Sequence, residues 1–246
     1  GLMFGMLFSS QSTTNDILEA GQCFDRNVCH SLNKHYSFND RNRSPERKLR
    51  IGWASSDLRT HPVGAFVLPF FGHLDRSCVE SYVYDNWPTA DNITLMIRSH
   101  ATVWRNVRGI GDNAMAELVR ADEIDILVDL NGHTAGHRLG VFARKPAPIQ
   151  VEWLGYPGTS GMSAIDYVFV PSDERLMKRD WSAEEPWALP SAYGVRGGMP
   201  AIEVRKTPPV EQNGYFTFAC MNRYSKVSAA ALDLWAYING MTLDFS

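Results

Sequence analysis

The stretch IDILVDL, residues 124–130, is an almost unbroken apolar run, and the polar segment NGHTAGHR, residues 131–138, follows it directly. Such a run is typical of a strand buried on both faces of a parallel sheet. Further strands are predicted at 49–54, 79–84, 102–107, 149–154 and 164–170. Helices are predicted between them, at about 63–74, 90–99, 112–121 and 139–143. This alternation predicts an α/β fold, a Rossmann-like parallel sheet with helices on both faces.

Length and composition exclude several classes of protein. The chain has 246 residues, 44% of them hydrophobic, and a formal net charge of −3. That balance excludes a disordered, collagen-like or coiled-coil chain, and it gives no basic footprint for nucleic acid. No apolar run approaches the roughly 20 residues that cross a bilayer, so no membrane association is expected. The four cysteines form no close pairs, which favours reduced thiols and a cytoplasmic location.

Four segments are predicted along the chain. Residues 1–48 hold a helix at about 15–35 and a polar linker, and residues 49–170 form the Rossmann-like domain. Residues 171–213 are a proline-rich, irregular connection. Residues 214–246 begin a second Rossmann-like domain, with a strand at 215–220 and a helix from 228 to about 238. A single strand and helix cannot bury their own apolar faces, so the second domain is expected to be truncated.

Three polar or glycine-rich loops follow predicted strands, at residues 55–64, 131–138 and 155–161. Ligands of open parallel sheets bind beyond the carboxyl ends of the strands, so three loops at one edge predict a binding site. Neither a G-x-G-x-x-G dinucleotide fingerprint nor a Walker A loop is present. Purely structural interpretations stay open: His61 could only begin a helix before Pro62, and the third loop could be only a turn.

A metal site is not expected from the histidines. His133 and His137 are four residues apart, as in a helical metal-binding pair, but Thr134 stands where metalloproteases have a glutamate. Asp129, at the end of its strand, is better placed than Asp125 to reach a loop or a ligand. Lys226 lies between a predicted strand and a helix, where a lysine either neutralises a phosphate or is a solvated surface residue.

Taken together, the motifs resemble the O-GlcNAc transferase and SPINDLY family. The resemblance is carried by LRIGWASSD (49–57), HPVG (61–64), IDILVDLNGHTAG (124–136) and, most specifically, PAPIQVEWLGYPGTSG (146–161). Residues 1–48 resemble the segment that joins tetratricopeptide repeats to the catalytic region. The resemblance implies a metal-independent GT-B transferase without a cofactor, of which this chain holds the N-terminal half.

The implied function is transfer of a sugar from a nucleotide sugar to Ser or Thr hydroxyls of proteins. UDP-GlcNAc is the leading donor, and the alternatives are GDP-fucose or a non-catalytic nucleotide-sugar-binding or scaffold module. The implied partners are the donor, a protein or peptide acceptor, upstream tetratricopeptide repeats and a downstream half-domain. We expect little activity from the chain alone, because half of the cleft would be missing.

The same resemblance implies roles for individual residues. His61 would lie on the acceptor side as a base or an orienting group, and Lys226 would neutralise the donor diphosphate. Eight further residues would contact donor or substrate: His133, Thr134, Tyr156, Pro157, Gly158, Thr159, Asn222 and Arg223. Arg223 departs from the Gln or Asn common at its position. Residues 171–212 match the family poorly, and EEPWALP (184–190) is a loose version of its Glu-x-Leu-x-x-Leu-Pro element.

Overall fold

A computed structural model describes residues 1–190, 203 and 206–242. Its centre is a seven-stranded sheet in the order β3-β2-β1-β4-β5-β6-β7, and all neighbouring strands are parallel. The strands are Leu49–Ser55 (β1), Val79–Asp85 (β2), Val103–Asn106 (β3), Ile126–Asp129 (β4), Ile149–Glu152 (β5), Tyr167–Pro171 (β6) and Glu185–Leu189 (β7). The predicted Rossmann-like fold is confirmed.

The α-helices of the described residues lie before, between and after the strands. They are Leu2–Met6 (α1), Thr14–Phe24 (α2), Pro62–His73 (α3), Asn92–His100 (α4), Asp112–Ala121 (α5), Leu139–Ala143 (α6), Pro209–Asn213 (α7) and Ala229–Thr242 (α8). The helix predicted at 15–35 is shorter: α2 continues through a π-helical turn at Asp25–Cys29 and a 3-10 turn at His30–Leu32. None of the described helices is both long and apolar enough to cross a bilayer.

Local sequence explains where the helices begin. Thr13 and Asp16 form a reciprocal capping box at the start of α2. Asp91 caps α4 by accepting a hydrogen bond from the Thr94 backbone N–H at 2.9 Å. Pro62 occupies the first turn of α3, where its missing N–H costs no helical hydrogen bond.

Two apolar layers cover the two faces of the sheet, as predicted. On one face, α3 and α4 pack through Val67, Phe71 and Ile97 against β1 and β4. On the other face, α5 and α6 pack through Met115 and Phe142. Each of these side chains is almost fully buried and contributes about 1.5–3 kcal/mol from removal of apolar surface from water. This burial fixes the strands whose ends carry the candidate site.

Two predictions about strands are wrong. Residues 171–213 are not irregular throughout, because β7 lies there and pairs with β6. The sequence did not predict this strand because it contains Pro186, which is unusual within a strand. Pro186 and the exposed Trp187 are tolerated because β7 is at an edge of the sheet. Conversely, no strand forms at 215–220 among the described residues. Strands need hydrogen-bonded neighbours, and the side chains of Tyr215, Phe216 and Phe218 are exposed there.

The chain separates into two compact units. Among the described residues, the first unit comprises 1–7 and 12–190, and it contains the whole sheet. The second unit comprises 8–11 and the described residues from 203 onward, including α7 and α8. Most of the predicted lead-in segment 1–48 thus belongs to the same unit as the sheet, and the predicted domain boundaries themselves stay a prediction.

Candidate active site at the carboxyl edge of the sheet

The loops after β1 and β4 meet at the centre of the sheet, where the chain order reverses. Asn131 joins them. Its side-chain oxygen accepts from the Ser56 backbone N–H at 2.9 Å, and its Nδ2 donates to Ser56 Oγ and Asp57 Oδ2, both at 3.0 Å. All three residues are buried. This is the point at which doubly wound sheets bind their ligands.

His61 stands at the rim beside this network. Its Nδ1 accepts the first-turn hydrogen bond of α3 from the Val63 backbone N–H at 3.3 Å, and it lies 3.8 Å from Asp57 Oδ1. Because Nδ1 is the acceptor, the proton of the neutral ring is assigned to Nε2. The ring is about one third exposed. His61 is therefore both a helix cap and an accessible imidazole.

Asp129, at the end of β4, holds the turn that follows it. Its two carboxylate oxygens accept from the backbone N–H groups of Asn131 (3.0 Å) and Gly132 (3.2 Å). Burial raises the pKa of Asp129 to about 6. Gly132 has φ of +53°, and a Cβ there would lie 2.4 Å from that of Tyr156. A glycine is thus required where the loops after β4 and β5 cross.

Glu152, at the end of β5, adds a second buried carboxyl group. Burial raises its pKa well above the usual value, and the charges of Asp129 and Glu184 act in the same direction. The neutral form of its carboxyl group is therefore favoured. Buried acids with shifted pKa values cluster here at the strand ends, as they do at many functional sites.

His133 is fixed on several sides. Its Nε2 donates to the Ser160 carbonyl oxygen at 2.8 Å, and the edges of Phe24 and Tyr156 lie against the ring, each with centroids 5.4 Å away. Burial lowers the pKa of His133, so the ring is neutral near pH 7. Thr134, two residues before Gly136, donates through its hydroxyl to the Asn131 carbonyl oxygen at 2.8 Å.

The loop at 155–161 presents its predicted residues unequally. It is called the donor loop here because the family resemblance implies that it contacts the sugar donor. Pro157 is exposed and Gly158 is half-buried. Tyr156 is buried, and its hydroxyl donates to the Met3 carbonyl oxygen at 3.5 Å. The Thr159 hydroxyl donates to Glu184 at 2.6 Å. The structure therefore turns the side chains of Tyr156 and Thr159 inward and leaves Pro157 and Gly158 at the surface.

A cavity of about 710 Å³ adjoins the donor loop. Its walls are the start of α2, residues 156–158, strand β6 and the segment 175–181. The volume lies within the range of small-molecule pockets. Aromatic and polar side chains share its lining, among them Asn15, Phe169, Arg175 and Trp181.

Helix α2 rests directly on the donor loop. A Cβ at Gly21 would lie 2.8 Å from the Cα of Gly161, and a Cβ at Gly161 would lie 2.2 Å from the Gly21 carbonyl carbon. Asp25, one turn further, accepts from the Ser163 backbone N–H at 3.1 Å. The lead-in helix is thus part of the wall of the site.

The remaining predicted residues lie in the second unit. Asn222, Arg223 and Lys226 are exposed. Lys226 ends the 3-10 turn Tyr224–Lys226, and its backbone N–H donates to the Arg223 carbonyl oxygen at 2.9 Å. Helix α8 begins at Ala229. Lys226 therefore precedes a helix, as predicted.

The two histidines do not share a helical face. Residues 131–138 form turns rather than a helix, and the rings of His133 and His137 have centroids 6.3 Å apart. Within the described ranges, no group of three or more His, Cys, Asp or Glu residues has the arrangement of a metal site. The helical spacing that would have favoured a metal pair is thus not formed.

Sequence reasoning did not assign the buried polar residues that organise the site. They are Asp57, Asn131, Glu152 and Glu184. The first three lie within the quoted motifs, at or just after the ends of strands, and that position was their only signal. Glu184 is the first residue of EEPWALP, and two of its three side-chain partners, Thr159 and Ser160, lie more than twenty residues earlier.

Comparison with known proteins decides the family. The sequence model described as glycosyl transferase family 41 matches residues 6–181. The chain belongs to glycosyl transferase family 41. Its curated relatives include probable UDP-N-acetylglucosamine–peptide N-acetylglucosaminyltransferases of the SPINDLY type. The Solanum lycopersicum protein is 32% identical over 96% of this chain and 26% of its own length. The Arabidopsis thaliana protein is 35% identical over 84% and 23%.

A solved structure extends the similarity of this family 41 chain to three dimensions. A mutant of the Thermobaculum terrenum O-GlcNAc transferase superposes with a TM-score of 0.85 at 35% identity, covering 94% of this chain and 44% of that chain. The predicted family resemblance is confirmed. The chain spans about a quarter of the length of these curated relatives.

Proposed function

We propose that the full-length protein containing this chain transfers GlcNAc from UDP-GlcNAc to Ser or Thr hydroxyls of proteins without a metal ion. Family 41 membership supports the reaction class. The observation that carries the proposal is the Asn131 network, which ties the loops of His61 and His133 together at the switch point of the sheet. Oriented imidazoles at such a rim suit the recognition of sugar and hydroxyl oxygens.

The proposed chemistry is a displacement at the anomeric carbon. The acceptor hydroxyl oxygen bonds to that carbon, the bond from the carbon to the diphosphate oxygen breaks, and the hydroxyl proton passes to the released UDP. Because Nδ1 of His61 caps α3, its Nε2–H is a hydrogen-bond donor. This geometry favours the orienting role of His61 over the role of base.

The leaving diphosphate needs positive charge, and Lys226 is the proposed source. It stands three residues before α8, where backbone N–H groups add to the attraction for anions. Asn222 and Arg223 are proposed as neighbouring donor contacts. Such stabilisation of developing charge is commonly the largest contribution to catalysis.

The setting of the reaction is also proposed. The four cysteines are unpaired, which supports a cytoplasmic protein. Upstream tetratricopeptide repeats are proposed as the platform for the acceptor, and a downstream half-domain as the second wall of the cleft.

The test is transfer by the full-length protein to a Ser/Thr-containing peptide library, with UDP-GlcNAc and GDP-fucose in parallel and with EDTA added to one series. We expect GlcNAc transfer that EDTA leaves unchanged. Transfer from GDP-fucose but not from UDP-GlcNAc would show that the sugar donor is GDP-fucose. Calorimetry that finds no binding of either nucleotide sugar would favour the scaffold alternative, to which the unusual Arg223 points.

The role of Lys226 gives a sharper prediction. Lys226→Ala should lower kcat by roughly 100-fold or more, as expected for loss of a group that stabilises transition-state charge. Lys206→Ala is the matched control, since Lys206 is an exposed lysine of the same unit, and it should keep full activity. Full activity in the Lys226 variant would show that the diphosphate is neutralised elsewhere.

A further inference from the structure

Glu184 is a fully buried carboxylate just before the edge strand β7. It is the first residue of EEPWALP, the loose version of a family element, and its side chain reaches back to the donor loop. The Oε2 atom accepts from the hydroxyls of Thr159 (2.6 Å) and Ser182 (2.5 Å). The Oε1 atom accepts from the Ser160 backbone N–H at 2.9 Å and from the Ser160 hydroxyl.

Three of these four hydrogen bonds fix both ends of one peptide unit in the donor loop. Thr159 Oγ1 itself accepts from the backbone N–H groups of Gly161 (3.0 Å) and Ala183 (3.1 Å). The Ser160 carbonyl oxygen then receives the Nε2–H of His133 at 2.8 Å. A continuous chain of hydrogen bonds thus runs from Glu184 to the loop that follows β4.

A carboxylate is required at this position. The Ser160 N–H is a fixed donor, so an amide at 184 must place its oxygen there and its NH₂ toward Thr159 and Ser182. Thr159 Oγ1 already accepts two hydrogen bonds and has no lone pair for a third. At least one buried polar group would be unsatisfied in a glutamine variant, which is costly.

We infer that Glu184 is a positioning residue for the donor loop: it sets the backbone at Thr159 and Ser160, and thereby the placement of Pro157, Gly158 and the His133 ring toward the nucleotide sugar. The inference rests on the proposed function for its kinetic consequence. Its structural consequence, the orientation of His133, does not depend on activity.

The experiment compares Glu184→Gln with Glu185→Gln in the full-length protein. Glu185 is the adjacent residue, half-exposed and paired with Arg179 at 2.9 Å, so its variant is a matched control. We expect the KM for UDP-GlcNAc to rise about tenfold or more in the Glu184 variant, with a smaller change in kcat. The control should keep wild-type values.

A second readout is the NMR signal of His133, labelled with ¹³C-histidine and assigned by its loss in His133→Gln. The Nε2–H of His133 donates to the Ser160 carbonyl oxygen, so Glu184→Gln should shift the His133 resonance by moving that oxygen. Ser182→Ala removes one donor and keeps the carboxylate. It covers the case in which Glu184→Gln does not fold, and its KM should rise about threefold.

The outcomes separate the two proposals. Wild-type KM and an unchanged His133 signal in a folded Glu184→Gln protein would overturn the inference. A lower folded fraction with unchanged KM would also overturn it, because the residue would then be structural only. If the wild type transfers no sugar, the proposed function fails, while the His133 signal still reports whether Glu184 positions the loop.

Discussion

Asn131 uses both ends of its side-chain amide at the point where the loops after β1 and β4 meet. A carboxylate could not donate there, and a hydroxyl could not span both loops. At the residue scale, the buried polar groups thus hold the site together. They fix the loops on which the more exposed His61 and Pro157 lie. Each buried polar group stabilises the fold only while its hydrogen-bond partners are present, because an unpaired buried polar group is costly.

His61 has a structural and a proposed chemical role, which two variants separate. His61→Asn keeps a helix-capping side chain and should unfold in urea within about 0.5 kcal/mol of the wild type, whereas His61→Ala should lose about 1 kcal/mol. Both should lose most transfer activity if the ring orients the acceptor. Full activity in His61→Asn would remove the ring from the mechanism.

The raised pKa of Glu152 makes a prediction about stability and pH. Above about pH 4.3 the unfolded chain releases a proton that Glu152 keeps in the folded protein. The free energy of unfolding therefore falls as pH rises from about 4.3 toward the raised pKa of the folded state. Glu152→Gln removes that dependence. The free energy of unfolding of the variant relative to wild type should therefore increase from pH 5 to pH 8 in urea titrations.

The exposed Glu174 supplies the control for this experiment. Glu174→Gln should keep the same difference from wild type at every pH. A Glu152→Gln protein whose difference from wild type is also constant would show that Glu152 titrates normally in the folded state.

At the scale of elements, the periodic and apolar segments were predictable and the isolated ones were not. Strand β1 and helix α6 follow from local apolar patterns, and α6 matches its predicted bounds. Strand β7 and the false strand at 215–220 differ in what lies beside them, since only β7 has a paired neighbour. The Glu184 contacts join distant segments, so no local pattern could reveal them.

The contact between α2 and the donor loop predicts a large effect at one glycine. Gly161 has φ of +72° and no room for a Cβ, whereas Gly109 has φ of +85° and nothing within 4 Å of one. Gly109→Ala should cost about 1–2 kcal/mol for the left-handed backbone alone. Gly161→Ala should cost at least about 3 kcal/mol and increase hydrogen exchange in α2. An equal loss of unfolding free energy in the two variants would mean that the close packing of Gly161 against Gly21 does not stabilise the fold.

At the scale of the whole molecule, one unit contains the sheet and both apolar cores. A chain of residues 1–190 should therefore unfold cooperatively, with a urea midpoint close to that of the 246-residue chain. A chain ending at residue 171 lacks Glu184 and β7, and it should be clearly less stable. Urea titrations followed by circular dichroism compare the three, and equal midpoints for all would deny β7 a structural role.

The glycine contact between Gly21 and Gly161 also bears on how this protein could be re-engineered. A fusion that attaches a different upstream module to the sheet should keep residues 1–7 as well as α2, because both belong to the unit that contains the sheet. A joint at residue 49, where the first strand begins, would remove α2, against which the donor loop packs. Chimeras between family members are therefore expected to fold only when α2 and the sheet come from the same parent.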